Sequence, residues 1–297
     1  MFNVLLYLLD KLNLKQPIMK FLPLKLILLS FLLLVSFKPS VQEFQGQAYY
    51  FSKSKMELGT WGARMSEAQK KQIQERLKNR LEKTYVLNFN IEESLFDEED
   101  QLDAISGATD SWGNNFSRGE QYKNVKENVL VQTQEFYGKK FLVKDKLQVI
   151  DWKMGSESKQ IGQYMCFKAT ASIPTAELTW FDFSWSDLRS TTVEKKSDST
   201  MVEPKEPEIK LTEVEAWYTL QIPVSHGPGE YWGLPGLILE VSAGNTTMLC
   251  SRVVMNPKES IKIEAPDKGK EITKSEYQAT IQGKMREMRD NRGRRRN

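Results

Sequence analysis

Ile222-Pro223-Val224-Ser225-His226-Gly227-Pro228-Gly229-Glu230-Tyr231-Trp232-Gly233-Leu234-Pro235-Gly236-Leu237-Ile238-Leu239-Glu240-Val241 is the stretch on which the reading of this chain turns. Four glycines and three prolines punctuate it, and it holds two aromatics and the chain's one histidine. Glycine admits positive φ and close backbone approach, whereas proline fixes φ and removes a donor. A run that alternates them follows a dictated path. The plain reading is a structured turn between two strands; the sharper alternative is a catalytic loop with His226 as general base. The flanks favour strands. Val214, Ala216, Tyr218, Leu220 and Ile222 alternate before it, and Leu237–Val241 continues apolar after it. Gly244-Asn245 then marks a hairpin turn, from which Met248–Met255 returns.

Further out, strand patterns dominate. Gln47–Phe51 and Tyr85–Ile91 alternate, and Asn128–Phe136, Lys140–Val143, Leu147–Met154 and Gln163–Ser172 read as a meander. Tyr164, Cys166 and Lys168 share one face of the last of these, and Met165, Phe167 and Ala169 the other. Ile261 and Ile263 suggest one more short strand. Ser66-Glu67-Ala68-Gln69 and Thr273-Lys274-Ser275-Glu276 are capping boxes. The first predicts a helix to about Lys83, docked by the narrow stripe Ile73, Leu77 and Leu81. The second predicts a C-terminal helix with Tyr277, Ile281, Met285 and Met288 on its apolar line. Glu92–Asp100 reads as a solvated acidic loop, 101–122 as a long loop pinned by Trp112 and Phe116, and 189–212 as a mobile polar loop. Phe181, Phe183 and Trp185 lie on one side of Thr179–Trp185, with Trp180 on the other; they fill a core or stack on a ligand.

Gly233–Ile238 spells GLPGLI, and the chain resembles the GLPGLI family, named for that hexapeptide. Asp151-Trp152-Lys153, Glu157–Thr170, Ala216–Thr219, Ile222-Pro223-Val224 and Gly227-Pro228 resemble the family's other blocks in order, so the likeness runs from about Gly46 to Met288. It implies an exported protein of a Gram-negative cell envelope, of unknown biochemical function. It also implies an outer-membrane transporter of the TonB-dependent kind, or another envelope protein, as the partner. It assigns no reaction. The motif residues singled out for binding or structure are His226, Gly227, Pro228, Tyr231, Trp232, Gly233, Leu234, Pro235 and Gly236.

The 297 residues carry a formal charge of +3, unevenly spread: +4 over residues 1–40, +5 over 284–297 and about −6 between. Such a body offers no basic surface for nucleic acid. Lys20 and Lys25 precede an apolar run, Leu26–Val35, that is short for a membrane span and fits a secretory signal, with Met19 as an alternative start. The expected order is a signal segment over 1–40, one β-rich domain over 41–283 and a basic tail over 284–297. The protein is then periplasmic or outer-membrane associated, touching a membrane through its N-terminal segment only if that stays uncleaved. Cys166 and Cys250 permit a disulfide in an exported chain; two separate buried thiols are the alternative.

Neither a G-x-S-x-G elbow, an H-E-x-x-H pair, a P-loop nor a dinucleotide fingerprint occurs, and one histidine excludes a multi-histidine metal site. No cofactor and no metal are expected. The leading reading is a non-catalytic binding or accessory module. A hydrolase centred on His226, with a carboxylate brought in by folding, and a carrier of an apolar ligand in a concave sheet are the alternatives. The expected fold is mainly β: a curved or doubled antiparallel sheet with an N-terminal and a C-terminal helix at its edges.

Overall fold

Alternation of apolar and polar side chains builds most of this protein. The structure, a computed structural model, describes residues 44–56, 62, 64–99, 116–181 and 209–294. The chain divides into Met1–Gln42 and Glu43–Asn297. The first unit, with the expected signal segment, lies outside the described residues, as do Trp112, Phe183, Trp185 and residues 189–208 of the expected loop.

Twelve strands form one sheet: β1 Gly46–Ser54, β2 Glu82–Phe89, β3 Glu93–Glu98, β4 Phe116–Asn124, β5 Val129–Phe136, β6 Lys139–Asp145, β7 Lys153–Ile161, β8 Tyr164–Pro174, β9 Leu211–Thr219, β10 Leu237–Ala243, β11 Thr246–Met255 and β12 Lys270–Ile272. Their spatial order is β12-β6-β5-β4-β3-β2-β1-β11-β10-β9-β8-β7. All pairs are antiparallel except β12 with β6, which is parallel, so the sheet is single and mixed rather than doubled or wholly antiparallel. Among the described residues four helices accompany it: α1 Glu67–Arg76, α2 Lys78–Leu81, α3 Thr175–Leu178 and α4 Lys274–Arg294.

Several local expectations are corrected. The acidic loop is β3. Phe96 is buried there and stacks on Tyr85 of β2 at 4.8 Å, and this long-range pairing outweighs the poor strand propensity of the flanking acids. The loop expected through residue 122 gives way to β4 at Phe116. The seventh strand is not Leu147–Met154 but the polar Lys153–Ile161, an edge strand paired only with β8 and exposed along most of its length. Ile261 and Ile263 form no strand; Lys270–Ile272 does. The expected polar loop ends earlier, since Leu211 and Thr212 already belong to β9.

α1 has its capping box, but none of its residues is buried, and it stops at Leu77 instead of running to Lys83. α4 differs. Thr273 and Glu276 cap it reciprocally, and Asp145 Oδ2 accepts a hydrogen bond from Lys274 N at 3.1 Å. Tyr277, Ile281 and Met285 pack with Phe136, Phe141, Val143, Trp180 and Ile272. Met285 is fully buried, so the helix continues through most of the segment expected to be a free basic tail.

The centre of the sheet is covered on both sides. Along β8, Cys166 joins one core cluster and Ala169, Ala171 and Ile173 join another; along β9, Trp217 joins the first and Val214, Ala216 and Tyr218 the second. Cys166 and Cys250 are buried and free. β9 and β10 separate their strands, and both thiols belong to one core cluster.

Candidate functional site

The connection from β9 to β10 contains every motif residue predicted from sequence. It is not an exposed turn. Ile222, Val224, His226, Gly227, Pro228, Gly229, Glu230, Tyr231, Leu234 and Gly236 are all buried. Its backbone is tied to itself and to β10: Gly233 N donates to Ser225 O at 3.1 Å, Leu237 N to Ile222 O at 2.9 Å and Ile238 N to His226 O at 3.0 Å. Two tryptophans clamp it to the β6–β7 connection. Trp152 Nε1 donates to Trp232 O at 2.8 Å, and Trp232 Nε1 donates to Gln148 O at 2.7 Å.

Two glycines show why the motif needs these residue types. Gly233 sits at φ 92°, a conformation that L side chains rarely adopt. At Gly236 an added Cβ would lie 2.1 Å from the backbone oxygen of Thr219 on β9, so the loop re-enters the sheet with no room for a side chain.

The anchor of the loop comes from β4. Lys123 is fully buried, and its Nζ donates to the carbonyls of Gly227 and Gly229 at 2.7 Å each and of Tyr231 at 3.3 Å. Burial, with a smaller contribution from Arg118, pushes its ammonium down to about 7, and Glu230 opposes that push. Around it lies a polar interior layer built by β4 and β5: Gln121, Gln132 and Gln134 are buried beside Lys123. Glu230 of the loop reaches into this layer. Its carboxylate accepts from Gln121 Nε2 at 2.6 Å and from Trp180 Nε1 at 3.3 Å, and pairs at 3.6 Å with both Arg118 and Lys274. Arg118 also stacks on Phe181, its guanidinium carbon 4.4 Å from the ring centroid.

A cleft of about 1020 Å³ opens beside this layer. Arg118, Gln134, Gly229, Glu230 and Tyr231 border it, with Tyr85, Leu178, Phe181, Leu211 and Met248 among its apolar lining. Of the predicted motif, only Tyr231 borders the cleft, with Gly229 and Glu230 from the same loop.

His226 has another setting. It is fully buried 6.4 Å from the Phe89 ring, and among the described residues neither ring nitrogen meets a partner at good hydrogen-bond geometry. Burial and then the nearby Lys123 charge push its imidazole down to about 3, opposed by the backbone of Asn90 and Ile91. Among the described residues no group of three or more His, Cys, Asp or Glu is placed to hold a metal ion, and no helix is long and apolar enough to cross a membrane.

Sequence reading missed Arg118, Gln121, Lys123, Gln132, Gln134 and Lys274. Arg118 and Gln121 fall in the stretch read as a long loop, and Gln132 and Gln134 alternate along β5 as polar side chains, the pattern of a solvated strand face. No local signal says that a loop about a hundred residues downstream covers that face.

The geometry defines a mainly β protein with a loop-floored cleft against one sheet. A model described as "Protein of unknown function (Porph_ging)" matches residues 152–240, the span from β7 into β10 that contains the loop. No curated protein matches the sequence. Two solved crystal forms of PNGF-II are similar over 80% of this chain at 15% identity, with TM-scores of 0.44 in space group C2 and 0.45 in P21. This chain covers 32% and 33% of those structures, about a third of their length.

Proposed function

We propose that this protein is an exported, non-catalytic binding or accessory module of the cell envelope, of the GLPGLI type, acting with an outer-membrane transporter. The cleft floored by the β9–β10 loop is its binding site. The observation that carries the reading is the anchoring of that floor: one buried ammonium holds three loop carbonyls beside a cleft large enough for a ligand of several residues. A floor fixed in this way preorganises a site, which lowers the ordering cost of binding.

Curvature of the sheet belongs to the same reading. β4 and β10 are five strand spacings apart, about 24 Å if the sheet were flat. Yet Gly227 bonds to Lys123 of β4 while its neighbour His226 bonds to Ile238 of β10. A concave sheet wrapped around the loop accounts for both contacts.

The hydrolase alternative needs His226 at a surface where substrate can reach it, and the ring is wholly enclosed. The apolar carrier needs an apolar lining, and Lys83, Arg118, Lys210, Glu213 and Glu230 all border the cleft.

The test is in-cell photo-crosslinking of the tagged protein. A crosslinking residue at Leu211, which borders the cleft, is expected to capture an outer-membrane transporter or a ligand adduct. The same residue at Val149, exposed and outside the cleft lining, is expected to capture neither. Equal capture from both positions, or none from Leu211, rejects the module reading. Activity toward any substrate that is abolished in His226→Asn would restore the hydrolase.

A further inference from the structure

Arg118 and Gln134 face each other across the β4–β5 ladder, directly in register. Cross-strand partners of this kind stand about 5 Å apart on one face. Both border the cleft. Gln134 also has a donor with nothing to donate to: it is only 4% exposed, and its Nε2 lacks a hydrogen-bond partner among the described residues. Arg118 spends one nitrogen on the protein: Nη2 donates to Gln121 Oε1 at 3.4 Å and lies 3.6 Å from Glu230 Oε1. Its side chain is 21% exposed, so the rest of the guanidinium is not sealed from the solvent of the cleft. An unpaired buried donor is costly to keep, and native proteins rarely keep one without a use.

Charge points the same way. The polar layer sets Arg118 and Lys274 against a single carboxylate, Glu230. Two cations against one anion leave a place for a second negative charge. Phe181 lies against the guanidinium, its ring centroid 4.4 Å from Cζ, and holds the group at the cleft wall.

Resting on the reading of the cleft as a binding site, we propose that Arg118 and Gln134 together bind a carboxylate. The acid is borne by an elongated ligand whose body lies along Tyr85, Leu178, Phe181 and Met248. One guanidinium N–H and an adjacent amide N–H match the two oxygens of a carboxylate, and the cleft volume accommodates several residues beyond it. A peptide C-terminus and an acidic sugar share this chemistry.

Isothermal titration separates the sources. The probes are an acetylated Leu-Phe-Ala-Leu tetrapeptide as free acid and as amide, and trigalacturonate with its methyl ester. For at least one pair the acid is expected to bind about tenfold or more tighter than its neutral partner, the difference made by one charge-assisted contact. Which pair responds names the source. Arg118→Met and Gln134→Leu are each expected to erase that preference. Should Arg118→Met fail to fold, Gln134→Leu still decides, because removing an unpaired buried donor leaves the melting temperature of the unliganded protein unchanged or higher. Acid and neutral forms of equal affinity, no binding by any probe, or a preference that survives Gln134→Leu would overturn the proposal. Native mass measurement of the exported protein keeps the two readings apart: a co-purified uncharged ligand sustains the binding module while removing the carboxylate.

Discussion

Lys123 and His226 place two depressed bases inside one protein, and both make its stability depend on pH in the same direction. A lysine with its ordinary value near 10.5 unfolded and about 7 folded is protonated in the unfolded chain over a range where the folded chain has lost the proton. Stability then rises with pH from about 7 to about 10.5. Urea unfolding across that range is expected to show the rise in wild type and a flatter profile in Lys123→Met. For His226 the window lies between its ordinary 6.5 and about 3, and stability is lost as pH falls through it. His226→Phe, which places an apolar ring beside Phe89, is expected to flatten the acid limb. Gly236 supplies a steric prediction: Gly236→Ala pushes a methyl into the Thr219 backbone and should cost about 2 kcal/mol or more in urea unfolding. The need for glycine there was legible in the sequence. The role of Lys123 was not, because a lysine on an alternating strand looks solvated until its covering loop is known.

The two long helices carry opposite expectations at the level of elements. α4 buries Tyr277, Ile281 and Met285 against β6 and β12, so Ile281→Ala is expected to cost about 2–4 kcal/mol. α1 buries nothing, so Ile73→Ala should stay within about 0.5 kcal/mol. Guanidinium unfolding of the two variants checks both. Each helix announced itself by its capping box, since a cap is a contact between residues three apart. Which helix is docked was not announced, since both show a narrow apolar stripe and only the packed neighbour distinguishes them. β7 makes the complementary point. Its polar run has no strand signature, and it is a strand because β8 offers an unpaired edge. The register shift between Met154 and Ser158 then irregularises the outer edge that β7 exposes.

For the whole molecule, the two buried thiols give a test that needs no mutation. A bridge closing a loop of 84 residues would stabilise by about 4 kcal/mol in the chain-entropy model. With both thiols free, the urea midpoint of the protein is expected to be the same with and without reductant. A drop under reduction would show that the bond forms. The sheet owes its cohesion to burial instead. Its central strands are packed on both sides, and each side draws on residues far apart in the chain.

Composition, alternation and glycine–proline punctuation were enough to determine a mainly β body, the two capped helices, the β10–β11 hairpin and the rigid path of the loop at 222–236. These are properties of neighbours in sequence, set by side-chain period and by the φ values that each residue permits. Only the tertiary structure decided which strands pair with which, that β12 joins in parallel, that His226 is sealed away, and that a lysine on β4 holds the loop. Each depends on bringing together segments up to about two hundred residues apart, as β1 and β11 are. Burial then changes the meaning of a side chain: polar residues of β4 and β5 that would be solvated on an open strand become a buried polar layer beside a cleft once the loop lies across them.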